Sequence, residues 1–86
     1  MPNWTVKIAR KAEKEFDRFP GKDQRLILQA LDALAINPFE GDIIHLKNER
    51  SEWRRRTGNY RIFFDLYPDV KVVDVVEIER RTSKIY

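Results

Sequence analysis

The sequence predicts an α+β fold in which a helical hairpin packs on one face of a twisted, mostly antiparallel sheet. Three observations carry this. The N-terminus alternates like a half-buried strand, two stretches of helical periodicity follow, and every run after Pro38 is strand-like and bounded by turn residues. With 86 residues, one domain spanning 1–86 is expected.

Trp4, Val6 and Ile8 alternate with Thr5, Lys7 and Ala9, the period of a strand with one buried face. From Arg10 the period lengthens, and Ala9, Ala12, Phe16 and Phe19 fall on one side of a short helix. Pro20-Gly21 breaks it. A second helix over residues 22–36 carries Leu26, Ile27, Ala30, Leu31 and Leu34 in one stripe. It ends at Asn37-Pro38, since the residue before proline is pushed out of the helical region.

The stripe needs a sheet to cover it. Residues 39–44 read as a loop, 45–47 as a candidate short strand and 48–51 as a polar turn. Residues 53–57 and 60–67 are strands joined by Gly58-Asn59, a favoured two-residue hairpin turn. Pro68-Asp69 turns the chain into a valine-rich strand over 71–79. Counted without the short piece at 45–47, the order is β-α-α-β-β-β.

The absence of cysteine removes disulfide and thiolate-zinc chemistry, and a single histidine, His45, cannot build a multi-histidine metal centre. No apolar run approaches the roughly 20 residues of a membrane span, and the N-terminus lacks the apolar core of a signal peptide. The expectation is a cytoplasmic protein with no metal, cofactor or membrane partner. Net charge is +3, and its distribution is uneven. Charges cancel over residues 1–43, whereas residues 53–64 hold four arginines and no acid. Such a patch suits phosphate or an acidic protein partner, or is simply a solvated face.

The hairpin register decides which arginines act together. A two-residue turn pairs Thr57 with Tyr60, Arg56 with Arg61, Arg54 with Phe63 and Trp53 with Phe64. Side chains alternate, so Arg54, Arg56, Arg61 and Phe63 share one face. Trp53, Ile62 and Phe64 share the other with Arg55, whose stem runs along the core edge. Arg56 opposite Arg61 is destabilising unless an anion intervenes. Asp65, Glu77 or Glu79 is one source of that anion, and a bound phosphate held by planar guanidinium groups is another. Phe63 offers a stacking surface for a base or packs under a loop. Tyr86, close in sequence to Arg80 and Arg81, is either a C-terminal anchor or a phenol whose pKa neighbouring cations lower from ~10 toward that of a general base.

The segment Leu46-Lys47 followed by Trp53-Arg54-Arg55-Arg56-Thr57-Gly58-Asn59-Tyr60-Arg61-Ile62-Phe63-Phe64 resembles the central motif of the RelE/ParE toxin superfamily. The tail Glu79-Arg80-Arg81-Thr82-Ser83-Lys84-Ile85-Tyr86 is similar to that family's basic, tyrosine-terminated ending, and Ile8-Ala9-Arg10-Lys11-Ala12-Glu13-Lys14-Glu15-Phe16 to its first strand and helix. The resemblance implies a toxin of a type II toxin–antitoxin system, silenced by a cognate antitoxin. Of the two kinds, it is closer to the RelE mRNA interferases, ribosome-dependent endoribonucleases that enter the ribosomal A site. There they cut mRNA without a metal, through 2′-hydroxyl attack, and so inhibit translation. It implies Arg61 and Arg80 as holders of the scissile phosphate and Tyr86 as base or orienting group. Arg54, Arg56, Arg81, Lys47 and Phe63 would contact the RNA. The alternatives are a ParE-like DNA gyrase inhibitor and a non-catalytic RNA-binding module. Two positions depart from the pattern: Glu52 stands where a lysine is expected, and Glu79 where glycine or histidine often precedes the tail arginines.

Overall fold

A computed structural model describes residues 3–47 and 50–81. The chain runs β1 (Thr5–Ile8), α1 (Arg10–Asp17), α2 (Gly21–Ile36), β2 (Ile43–His45), β3 (Trp53–Thr57), β4 (Tyr60–Tyr67) and β5 (Val72–Arg80). The strands form one sheet in the order β1-β5-β4-β3-β2, in which β1 lies parallel to β5 and the other neighbours are antiparallel. The expected architecture is therefore present, with five strands where the sequence order counted four.

The extra strand is β2, which begins in the segment expected to be a loop. Ile43, Ile44 and His45 pair with Arg55, Arg54 and Trp53, so β3 is its template. Helix α1 stops at Asp17 rather than reaching Phe19, and residues 18 and 19 close with three-residue hydrogen bonds to Glu15 and Phe16. Strands β3 and β4 have the expected limits because the turn fixes both ends. Gly58 takes φ +57, and a Cβ there would lie 2.8 Å from Leu26 Cδ2 on α2. Only glycine meets both demands without strain.

The helices cover one face of the sheet. Ile27, Ala30, Leu31 and Leu34 of α2, with Ala12 of α1, bury against Tyr60, Ile62, Phe64, Leu66, Val73, Val75 and Ile78. Full burial of side chains of this size contributes roughly 1.5–3 kcal/mol each. Phe64, Leu31 and Leu34 are buried together as the register argument requires, while Trp53 is half-buried at the margin. Its ring stands edge-on to Phe39 at 6.1 Å and to His45 at 4.9 Å.

Two local devices shape the far edge of the sheet. Beyond Ile8, α1 takes over from β1 beside β5, and Glu15 Oε1 accepts a hydrogen bond from the Ile78 backbone N–H at 2.9 Å. This satisfies a strand edge that would otherwise be an open template for pairing. The β4–β5 ladder also slips by one residue. Phe64 pairs with Val75 and Phe63 with Glu77, leaving Val76 as the extra residue of a β-bulge.

Candidate nucleic-acid interface

The β3–β4 hairpin positions the basic side chains, and its register is the one expected: Trp53 with Phe64, Arg54 with Phe63, Arg56 with Arg61 and Thr57 with Tyr60. Arg54, Arg56, Arg61 and Phe63 therefore share the face away from the helices. Beyond the bulge, Glu77 opposes Phe63 and Glu79 opposes Arg61, so both carboxylates stand on that face as well.

The like-charged pair is relieved in a way the sequence did not indicate. Asp42, in the loop before β2, accepts from Arg56 Nε at 2.9 Å, and its carbonyl accepts from the Arg56 N–H at 2.8 Å. Arg56 is thus answered by neither Asp65, Glu77 nor Glu79. Asp65 instead accepts from the Glu52 N–H at 2.7 Å. Glu77 receives Arg50 at 2.8 Å and Lys11 at 3.0 Å. Burial works against the Arg50 charge, but Glu77 and Glu79 outweigh it and raise the Arg50 pKa.

Arg61 sits at the centre. Among the described residues it makes no ion pair, although Glu79 is its direct cross-strand neighbour. Burial, then the charges of Arg81 and Arg54, lower its pKa below the ordinary guanidinium value, and the nearby Glu79 offsets part of this. A guanidinium stays charged at neutral pH under such a shift, so its cost is relieved by an incoming anion rather than by losing a proton. Arg54, half-buried between the β2 and β4 partners Ile44 and Phe63, also forms no ion pair among the described residues.

The tail arginines divide. Arg81 donates its N–H to the Asn59 carbonyl at 2.6 Å and lies 3.7 Å from Glu79 Oε1, which places it with Arg61. Arg80 opposes Tyr60 on the helix-side face, with its guanidinium carbon 6.0 Å from the Tyr60 ring centre. The joint grip of Arg61 and Arg80 expected from the resemblance is thus not what the register assembles; Arg61 and Arg81 are the adjacent pair. The cause is parity, since Glu79 faces outward and its neighbour Arg80 must face the other way.

Phe63 is corrected too. It points outward but is 3 % exposed, with the Arg50 guanidinium 4.4 Å above its ring centre, so it packs under the loop and offers no open stacking surface. Arg50 was read only as part of a polar turn. No local pattern marks its role, because its partner Glu77 is 27 residues away. Lys47 is exposed just beyond β2. Arg55 donates to the Glu40 carbonyl at 2.8 Å, its stem running along the core edge as expected. Tyr86 lies outside the described residues.

Beneath the turn, Tyr60 donates its hydroxyl to Asp23 Oδ2 of α2 at 2.6 Å. Burial and this bond raise the Tyr60 pKa above 10.0. The hydroxyl ties the arginine-bearing end of the hairpin to the second helix.

Comparison with known proteins agrees with this construction. Residues 6–85 match the family described as the ParE toxin of the type II toxin-antitoxin system, parDE. No curated relative matches by sequence. The fold is similar to that of the archaeal RelE–RelB complex from Pyrococcus horikoshii OT3, with TM-score 0.79, 24% identity, and 94% of this chain and 98% of that one covered. It is also similar to the RelBE2 toxin–antitoxin complex from Mycobacterium tuberculosis, with TM-score 0.82, 18% identity, and 94% and 100% covered. The isolated E. coli RelE toxin aligns with TM-score 0.78, 13% identity, and 94% and 87% covered.

Proposed function

Since the chain belongs to the ParE toxin family of type II toxin–antitoxin systems, we propose that it is the toxin of such a pair and acts as a ribosome-dependent endoribonuclease on mRNA. The observation that carries this reading is Arg61, a partly buried guanidinium with no ion pair among the described residues, set beside Arg54 and Arg81. Unanswered cations on a face whose other arginines are paired are suited to a transferring phosphoryl group. Negative charge builds there in the transition state, where fixed donors stabilise it more than in the ground state.

In this scheme Arg61 and Arg81 hold the scissile phosphate, Arg81 taking the part the resemblance gave to Arg80. Arg54, Arg56 and Lys47 contact flanking phosphates. Tyr86 takes the proton or orients the attacked nucleotide. The ribosomal A site supplies a messenger already held in a reactive conformation, which a site with few acid–base groups needs. The partner in the resting cell is a cognate antitoxin, as the RelB-bound state of two structural relatives suggests.

The test is induction of the wild type and Arg61→Ala in cells, with mRNA 5′ ends mapped. Cuts within translated messages that depend on Arg61 and leave 2′,3′-cyclic ends support the reading. The family description itself, a ParE toxin, favours a second reading as a gyrase inhibitor. Gyrase trapped on DNA with the messages intact establishes that one instead.

A further inference from the structure

We propose that Glu79 is the general base of the cleavage, accepting the proton of the attacking 2′-hydroxyl. This rests on the ribonuclease reading above and assigns a group within it. Glu79 stands directly across the β4–β5 ladder from Arg61, the guanidinium best placed for the scissile phosphate. Directly opposed arginine and glutamate ordinarily close into a salt bridge, yet these two have no contact within ion-pair distance among the described residues. Glu79 Oε1 is screened from solvent and accepts no hydrogen bond. Its nearest cation is Arg81 NH1 at 3.7 Å, and the other oxygen lies 3.5 Å from Arg50.

A carboxylate placed only to neutralise Arg61 would bond to it. Here the acid and the cation lie side by side, each with unused capacity, which is what a proton acceptor next to an oxyanion holder requires. Arg81, with a side chain 56% exposed, lies 3.7 Å from Oε1. A phosphate that draws Arg81 onto itself leaves Oε1 beside the nucleotide being cut.

The chemistry balances. The 2′-hydroxyl gives its proton to Glu79 as its oxygen bonds to phosphorus. The bond from phosphorus to the 5′-oxygen breaks, and that oxygen takes a proton from water. The products are a 2′,3′-cyclic phosphate and a 5′-hydroxyl, and Glu79 returns its proton to solvent. Tyr86 is left with the orienting role.

The experiment is single-turnover cleavage of a ribosome-bound messenger as a function of pH, with Glu79→Gln and, as a control, Glu77→Gln. Glutamine keeps the shape and removes the proton acceptor. The Glu79 variant should lose on the order of 10²–10⁴-fold in rate, bind programmed ribosomes no more weakly than wild type, and lack the fall in rate that wild type shows on the acid side. The Glu77 variant removes the stronger Arg50 partner without removing the base, and should cleave within severalfold of wild type. Unchanged or faster cleavage by Glu79→Gln overturns the assignment while wild-type cleavage still upholds the ribonuclease. Equal losses in both variants also overturn it, since the cause would then be the arginine network. Wild type that never cuts removes the ribonuclease reading itself.

Discussion

The outward face of the sheet has two ends made from the same residue types and left in opposite states. At one, Arg50 lies over Phe63 and meets Glu77, which also receives Lys11. At the other, beside the Gly58 turn, Arg61 faces Glu79 without meeting it. Composition alone does not distinguish the two ends. Reach does: Arg50 arrives from a loop and can bend toward its acids, whereas Arg61 is fixed on a central strand between two neighbours. The first end behaves as structure, and the second holds charge in reserve for a ligand.

The largest expected effect breaks that reserve. Arg61→Ala should lower cleavage by about a hundredfold or more, roughly 3 kcal/mol of transition-state stabilisation. Urea unfolding of the same variant should shift by no more than about 0.5 kcal/mol, the range of surface substitutions away from structural features. A large loss of stability would show that Arg61 belongs with Arg50 after all.

A smaller effect tests the anchor below the open end. Tyr60→Phe removes a hydroxyl bonded to a carboxylate and should cost about 1.5–2 kcal/mol at neutral pH. Because the folded chain holds the Tyr60 proton more firmly than the unfolded chain, the wild-type advantage is whole below the ordinary value of 10.0. It is lost as pH rises through the higher folded value. Denaturation midpoints of the two proteins should therefore converge in alkali, and parallel curves would count against the bond.

The smallest effect concerns the closed end. Arg50→Met should cost at most about 1 kcal/mol, because the pair is partly exposed and screened by solvent. A cost of several kcal/mol in thermal unfolding would mean that Arg50 holds the loop in place as well as covering Phe63.

Much of the fold was legible because local signals agreed with tertiary demand. The Gly58-Asn59 turn and the alternation on either side fixed β3 and β4 to the residue, and with them the shared face of Arg54, Arg56 and Arg61. Strand β2 was misplaced since three residues carry no period, and their pairing comes from β3. Asp42 and Arg50 were missed because each meets a partner far along the chain. Arg80 was assigned by counting along the tail. Its true face depends on the β4–β5 register, which nothing in the valine-rich run reveals.

That register turns on Val76. Continued without interruption from Tyr67 and Val72, the ladder would set Ile78 opposite Arg61 and Glu79 opposite Tyr60. The extra residue reverses this, sending Ile78 into the core and both glutamates outward. Exchanging Val76 for another β-former alters one side chain. Deleting it would remove the bulge yet keep Glu77 opposite Phe63, Ile78 opposite Ile62 and Glu79 opposite Arg61, because the ladder already leaves that residue out. Pairing residue 76 with Phe63 is the change that would expel Ile78, bury Glu77 and turn Arg80 toward the site while Arg81 turns away, so descendants of this protein must keep residue 76 out of the ladder whatever its identity.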